Sequence, residues 1–241
     1  MKDFFRSTQL IPALLLAIGI SLAGYFVGKT LFNAKVGINT AEAKGLSERK
    51  VLADSATWRI SFSVEGKSKS DIPRLYQEAE SNQQAIVKIL TDGGLSKDEV
   101  ELGIIDHSVR EFRDDNNQLV DQNHTLSGSV LVQTQKVNLI KNLRTSVNQL
   151  VAQGMDLTNR TPSYHFNGLN EIKPDMLKEA ARNARIAATE FAENAGAKVG
   201  RIRHARQGAF FIVDSGQSHG DTRSLEKDVR VVTTIEFYLT D

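Results

Sequence analysis

The sequence predicts an α+β protein: duplicated βαββ units with largely antiparallel sheets, helices packed on them, and an N-terminal transmembrane helix. Three observations carry this expectation. Ala56, Trp58, Ile60, Phe62 and Val64 alternate with polar residues, as do Val229, Val231, Thr233, Ile235, Phe237 and Leu239. That period of two is the mark of a half-buried strand. Amphipathic helical stretches separate such segments, in the order strand, helix, strand, strand, helix, strand, helix, strand, strand. Runs of strands around a few helices, joined by hairpins, favour antiparallel sheets. Finally, Leu10 to Val27 contains no charged residue.

That uncharged run is the first element. At about 1.5 Å per residue it reaches roughly 27 Å, close to the hydrocarbon thickness of a bilayer. The organisation read from it is a tail over 1–9, a transmembrane signal anchor over 10–32, a linker over 33–43 and a folded domain over 44–241. Ser21-Leu22-Ala23 offers a small-x-small site, so cleavage near Ala23 is the alternative. Tyr25-Phe26-Val27 and Leu31-Phe32 extend the apolar run past that site and favour an uncleaved anchor over cleavage or a buried soluble helix. Lys2 and Arg6 before the span balance Lys29 and Lys35 after it, so the positive-inside rule does not orient it. A short tail before the span and a large domain after it suit an exported domain held by its anchor. Gly24-x-x-x-Gly28 reads as ordinary small residues of a membrane helix rather than a packing motif.

The next elements follow in chain order. After the strand at 56–64, Ser70 caps a helix with Pro73 in its first turn; Leu75, Ala79, Ile86, Ile89 and Leu90 form its apolar stripe, and Gly93-Gly94 end it. A strand is expected at about Val100–Phe112, then a turn at Asp114-Asp115-Asn116-Asn117, then a strand with Leu126, Gly128, Val130 and Val132 on one face. Ile140, Leu143, Val147, Leu150 and Val151 predict a helix, and Leu157 to Phe166 a weaker strand. Pro174 opens an Ala-rich helix whose stripe is Met176, Ala180, Ala184, Ala187, Ala188, Phe191 and Ala195. Ile202 to Val213 is a strand bulged near Gln207-Gly208, Gln217 to Lys227 a polar loop, and Val229 to Leu239 the last strand. The duplication rests on Pro73-x4-Glu78-Ala79-x2-Asn82, which recurs as Pro174-x4-Glu179-Ala180-x2-Asn183.

Composition narrows the function classes. The chain of 241 residues has 30 Lys+Arg against 29 Asp+Glu, a formal net charge of +1, and no cysteine. Near-neutral charge gives no electrostatic reason to expect nucleic-acid binding. Without cysteine there is no disulfide scaffold, thiol catalysis, iron–sulfur ligation or thiolate zinc site.

No catalytic motif stands out. G-x-S-x-G, H-E-x-x-H, the P-loop and G-x-G-x-x-G are all missing. The histidines are His107, His124, His165, His204 and His219, and no two share metal-ligand spacing on one predicted element. Asp106 and His107 are neighbours on a strand and point to opposite faces. Asp214, His219 and Asp221 share a loop that could gather around a cation but reads more simply as solvated. The Asp114 turn lacks the alternating ligands and terminal Glu of a calcium loop. Asn123-His124-Thr125 and Asn159-Arg160-Thr161 match the glycosylation sequon. Arg201, Arg203, Arg206 and His204 read as a solvated sheet face, and Trp58 as core. The expectation is no catalytic residue, no metal and no cofactor.

The stretch Gly45 to Trp58, with Ala53-Asp54-Ser55-Ala56 within it, resembles the opening of the SIMPL-domain family of bacterial envelope proteins, long labelled a domain of unknown function. Glu179 to Arg185 followed by Gly196 to Ile202 is similar to the family's second hallmark, and Val229 to Leu239 to its third. Phe166 to Pro174 resembles a subgroup that keeps an N-terminal membrane segment. The resemblance covers about residues 38–241. It implies export to the cell envelope, ring assembly in some members, a link to oxidative-stress tolerance in some, and no established catalytic residues. Here the anchor implies an inner-membrane protein with its C-terminal domain in the periplasm, unlike a freely diffusing ring. The expected function is therefore non-catalytic, through homo-oligomerisation or an envelope protein partner, with the membrane engaged by one helix and no nucleic acid. Two alternatives stay open: a module binding a small ligand or peptidoglycan-like polymer, and an unrecognised hydrolase or metal-dependent enzyme using Asp54, His107 or His204.

Overall fold

The computed structural model describes residues 2–35 and 39–240, so Met1, residues 36–38 of the expected linker and Asp241 lie outside the described residues. The chain opens with helix α1 (Lys2–Lys35), which takes in the expected tail from Lys2 onward. Within it Pro12–Phe32 is long and apolar enough to cross a membrane, and none of that window is buried. An exposed span of this kind is not a core helix of the folded domain; an anchor and a signal sequence both meet the same criteria.

Then come β1 (Thr40–Leu52), β2 (Ser55–Gly66), α2 (Ile72–Asp92), β3 (Val100–Leu102), β4 (Asp106–Arg113) and β5 (Leu119–Thr134). The chain continues through α3 (Val137–Ala152), β6 (Asp156–Asn159), β7 (Ser163–His165), α4 (Leu169–Asn194), β8 (Lys198–Asp214) and β9 (Glu226–Thr240). The fold is α+β with antiparallel sheets. The chain divides into two units: Met1–Ser47 with Leu177–Ala209 and Val231–Asp241, and Glu48–Met176 with Phe210–Arg230.

The second unit is built on one sheet in the order β3-β5-β2-β6, with β4 also on β5 and β7 also on β2. The β2–β5 register places Trp58 opposite Val132, Ile60 opposite Val130 and Val64 opposite Leu126. Those side chains join Leu75, Ile86 and Leu90 of α2 and Ile140, Leu143 and Val147 of α3 in one core. Both helices cover the same sheet face, which is why the strands alternate so cleanly. Phe62 sits opposite Gly128, where a Cβ would run into the Phe62 ring, so the aromatic dictates the glycine.

Several elements differ from expectation. The strand expected at Val100–Phe112 breaks into β3 and β4 at Gly103, whose N–H donates to Ser129 O (2.8 Å). Buried Gln83 of α2 secures the break, donating to Gly103 O (2.8 Å) and Ser129 O (3.2 Å). The strand at Leu157–Phe166 breaks into β6 and β7 around Pro162, which has no N–H for a sheet ladder. Val151 is exposed, and Ile89 is only partly buried beside the α2 stripe. Helix α4 starts at Leu169, ahead of Pro174, which lies inside it. Its buried stripe is Met176, Ala180, Ala184, Ala188 and Ala192, a strict four-residue row; Ala187, Phe191 and Ala195 are exposed.

In the first unit that alanine row lets two backbones meet. A Cβ on Gly45 of β1 would collide with the backbone of Ala180 and Ala184. Ser47 Oγ donates to Glu179 Oε2 (2.9 Å) and Asn183 Nδ2 to Leu46 O (2.8 Å). The sheet order is β1-β9-β8, so the strand beside β9 is β1 from the start of the domain. A βαββ unit written twice in chain order would put the strand before α4 in that place; β6 and β7 instead pair with β2. The segment 40–52, unassigned from periodicity, is a strand because β9 needs a second neighbour and Gly45 lets it approach α4.

Glu99 joins three elements of the second unit. It accepts from Ser96 N (2.8 Å), Ser96 Oγ (3.0 Å), Thr134 Oγ1 (2.6 Å) and Lys136 Nζ (2.9 Å). The Thr134 hydroxyl, helped by Lys136 and Ser96 against the opposing effect of burial, holds its carboxyl down at about 2.

Two outcomes follow from this packing. Gly45→Ala should destabilise the chain by about 1–3 kcal/mol or more, because backbone cannot yield as a side chain can, read from the urea midpoint of the full chain in detergent. The depressed Glu99 carboxyl stabilises the fold fully above its ordinary value of 4.5 and loses that contribution as pH falls toward about 2. Glu99→Gln should therefore lower stability at neutral pH and show a shallower decline over that acid range than the wild type, measured by denaturation at a series of pH values.

Candidate functional site

The residues singled out from the sequence do not converge. Asp54 accepts from Asn167 N (2.7 Å), Asn167 Nδ2 (2.9 Å) and Gly168 N (2.8 Å), fastening the β1–β2 turn to the chain just before α4. Asp114 accepts from Asn116 N (2.9 Å) and Gln118 N (2.8 Å), and Asn117 has φ 61°, a turn built on its own backbone. His204 is exposed on β8, where residues 201–207 are exposed on both faces. Arg203 of that stretch is paired: its Nη1 donates to Glu236 Oε1 (2.6 Å), which also accepts from Thr40 Oγ1 (2.8 Å). The Thr40 and Arg203 bonds hold the Glu236 carboxyl below its ordinary value.

Two histidines meet where sequence spacing gave no hint. The β4–β5 register sets His107 opposite Leu126 and His124 opposite Val109. His107 Nε2 and His124 Nδ1 lie 3.0 Å apart, with ring centroids 5.3 Å apart and planes 10° from parallel. A collinear in-plane hydrogen bond would give nearly that centroid separation, so the rings meet edge to edge. His124 is buried and its Nε2 has no hydrogen-bond partner among the described residues. No cluster of three or more His, Asp, Glu or Cys able to hold a metal occurs among the described residues.

The loop after β8 holds a buried ion pair rather than a solvated cluster. Asp214 and Lys227 are both fully buried, with Lys227 Nζ 2.6 Å from Asp214 Oδ1. Lys227 Nζ also donates to Asp221 O (2.6 Å). The cation that Asp214 and Asp221 gather around is thus the Lys227 ammonium; Asp221 supplies its main chain, and His219 bonds Ser218 instead. Burial opposes ionisation of Asp214, but Lys227 and the N–H groups of Ser224 and Arg223 outweigh it and hold the carboxyl below its ordinary value.

This pair shapes one wall of a cleft. Asp214 accepts from Arg223 N (2.9 Å) and Ser224 N (3.1 Å), Tyr164 N donates to Thr222 O (2.8 Å), and Ala53 N to Leu225 O (2.8 Å). The opposite wall is the polar face of α3, carrying Lys141, Arg144 and Asn148. Asn148 is set from the core: Trp58 Nε1 donates to Asn159 Oδ1 (2.9 Å), and Asn159 Nδ2 to Asn148 Oδ1 (2.7 Å). Asn159, read earlier as part of a sequon, is therefore a structural amide.

The cleft has a volume of about 700 Å³, and no acidic residue lines it. Lys141, Arg144 and Arg223 make no salt bridge among the described residues. Arg144 Nε is buried without a hydrogen-bond partner there. Burial pushes the Tyr164 phenol up, against the pull of the Arg144 charge. Sequence reading missed this site because its cations come from one helix face and a distant loop; only the helical spacing of Lys141, Arg144, Thr145 and Asn148 was visible, and it looks like any solvated face.

The SIMPL family, described as proteins of unknown function (DUF541), matches residues 42–236, and the chain belongs to that family. It is not a known enzyme family. No curated protein matches the chain. Among solved structures, a chain from methicillin-resistant Staphylococcus aureus assigned as an aminohydrolase is 17% identical over 59% of this chain, with a TM-score of 0.26. This chain spans only 39% of that protein's length. An uncharacterized conserved protein from Listeria innocua is 14% identical, covering 77% of this chain and 91% of its own, with a TM-score of 0.22. A hydrolase from Listeria innocua is 13% identical, covering 77% and 90%, with a TM-score of 0.20. Likenesses this slight carry no argument about activity.

The buried pair gives a clear outcome. Lys227→Met leaves a carboxylate buried without its counter-ion and should cost about 3–5 kcal/mol. Adding Asp214→Leu removes the stranded charge and should recover part of the loss, both read from urea midpoints.

Proposed function

We propose that this chain is a membrane-anchored envelope protein that works without catalysis, through association of its SIMPL domain with further copies of itself. The observation that carries the reading is the β4–β5 arm. Every residue of β4 is exposed, and β4 pairs only with β5, so its outer edge has no strand partner among the described residues. Open strand edges are templates for pairing with another chain, and proteins usually blunt them. This one bears charges at Asp106, Arg110, Glu111 and Arg113 but also carries Val109 and Phe112, with Leu119 and Val120 across the hairpin, each of them exposed. Phe112 is 48% exposed and Val120 69%, which is costly for an arm that stays in water.

Helix α1 supports the anchored half of the reading, with Pro12–Phe32 as the inner-membrane span and the domain on the periplasmic side. Lys29 Nζ lies 6.0 Å from the Tyr25 ring centroid, a cation and an aromatic near the end of the span, as membrane interfaces favour. The absence of cysteine suits an exported domain without thiol chemistry.

Full-length chain extracted in mild detergent should run larger than a monomer when sized by light scattering. Phe112→Asp combined with Val120→Lys should shift it to monomer while leaving the thermal midpoint within a few degrees. A strictly monomeric wild type, or a variant of unchanged size, would overturn the reading.

A further inference from the structure

We propose that the cleft between α3 and the 214–226 loop is a binding site for a small polyanion, a ligand carrying at least two phosphate or carboxylate groups. Three observations converge on this chemistry. Lys141, Arg144 and Arg223 line the cleft, and none has an acidic partner among the described residues. Other cations of the same unit also lack an ion pair, Lys97 and Arg110 among them, but these three share one concavity that no acidic residue lines. Leaving three unmatched in one concavity concentrates positive potential there.

Next, Arg144 Nε is buried with no acceptor. An oxyanion seated in the cleft cannot reach that atom, but it supplies acceptors for the terminal N–H groups of Arg144, which are not buried and make no hydrogen bond among the described residues. The planar guanidinium fork suits a phosphate or carboxylate, which offers two oxygens side by side. Third, the site is preorganised on both walls. Arg223 and Ser224 are pinned through their main-chain N–H groups by Asp214, which leaves the Arg223 side chain unpaired. Asn148 is pinned through Asn159 to Trp58 in the core. A volume of about 700 Å³ lies in the range of small-ligand pockets and far exceeds a single inorganic ion. Tyr164 adds an aromatic wall and a hydroxyl. This site is independent of the arm proposed for self-association, so either can fail without the other.

The test uses the full chain in detergent, titrated calorimetrically with pyrophosphate and with citrate. Saturable binding of either is expected, weakened about tenfold or more by Arg144→Gln and by Arg223→Gln, a loss of about 1.4 kcal/mol each. Arg144→Lys keeps the charge but not the fork and should fall between wild type and Arg144→Gln. Lys97→Gln, outside the cleft, should bind as wild type does. Preference for pyrophosphate would identify a phosphate-bearing ligand, and preference for citrate a polycarboxylate. Circular dichroism of each variant confirms that it is folded; if Arg144→Gln is not, Arg223→Gln and Lys141→Gln decide. No saturable binding of either probe at about 1 mM, or binding indifferent to these substitutions in folded variants, would overturn the proposal.

Discussion

The contact between Lys227 and Asp214 is the constraint on which the second half of the molecule depends. Two charges with no solvent exposure, 2.6 Å apart, lie between the end of β8 and the start of β9. Taking them out of water costs several kcal/mol per ion, so the pair is weak as a source of stability. Its value is geometric. The carboxylate has lone pairs left after meeting the ammonium, and they are met by the N–H groups of Arg223 and Ser224. The ammonium has protons left, and one is met by the main chain at Asp221. A loop rich in polar residues is thereby held in one conformation, and the wall of the cleft inherits that order.

The same logic, a polar group in the core whose remaining valences reach outward, appears at Trp58. Its indole N–H passes through Asn159 to Asn148 on the helix facing the loop. One wall is thus fixed by an ion pair and the other by a neutral network. Between them stand cations that have no internal partner. Two of them, Lys141 and Arg223, are exposed and Arg144 is half-buried, so an anionic ligand entering the cleft would meet all three.

Much of the fold was legible because one face of each sheet is buried. Ala56 to Val64 and Val229 to Phe237 follow the period of two through the core, and Leu75, Ala79, Ile86 and Leu90 follow the helical period. What misled was local. Phe191 fits a helical stripe by hydropathy, yet the row that packs is alanine at every fourth position, because β1 comes too close for anything larger. The pairing of β1 with β9 joins the ends of the domain, and no local pattern encodes a contact between residues nearly two hundred positions apart. The candidate sites suffered likewise. His107 and His124 meet through strand register, and Lys141, Arg144 and Arg223 through the placement of a loop. Asp54 and Asp214 were visible as chemistry-bearing residues, but only hydrogen-bond partners reveal that both are committed to holding backbone.

The spacing between α1 and β1 carries a further consequence. The helix ends at Lys35 and the strand begins at Thr40. Five steps of 3.8 Å cap the distance between them at about 19 Å. For a chain inserted through α1, the folded domain then moves as a nearly two-dimensional solute, held within a shallow layer above the bilayer. Encounters between copies are governed by lateral density rather than by bulk dilution, and effective concentration replaces intrinsic affinity. If copies pair through the β4 edge, an edge too weak to hold two molecules together in free solution would be adequate there, and cleavage of the helix would undo such pairing without altering a single contact.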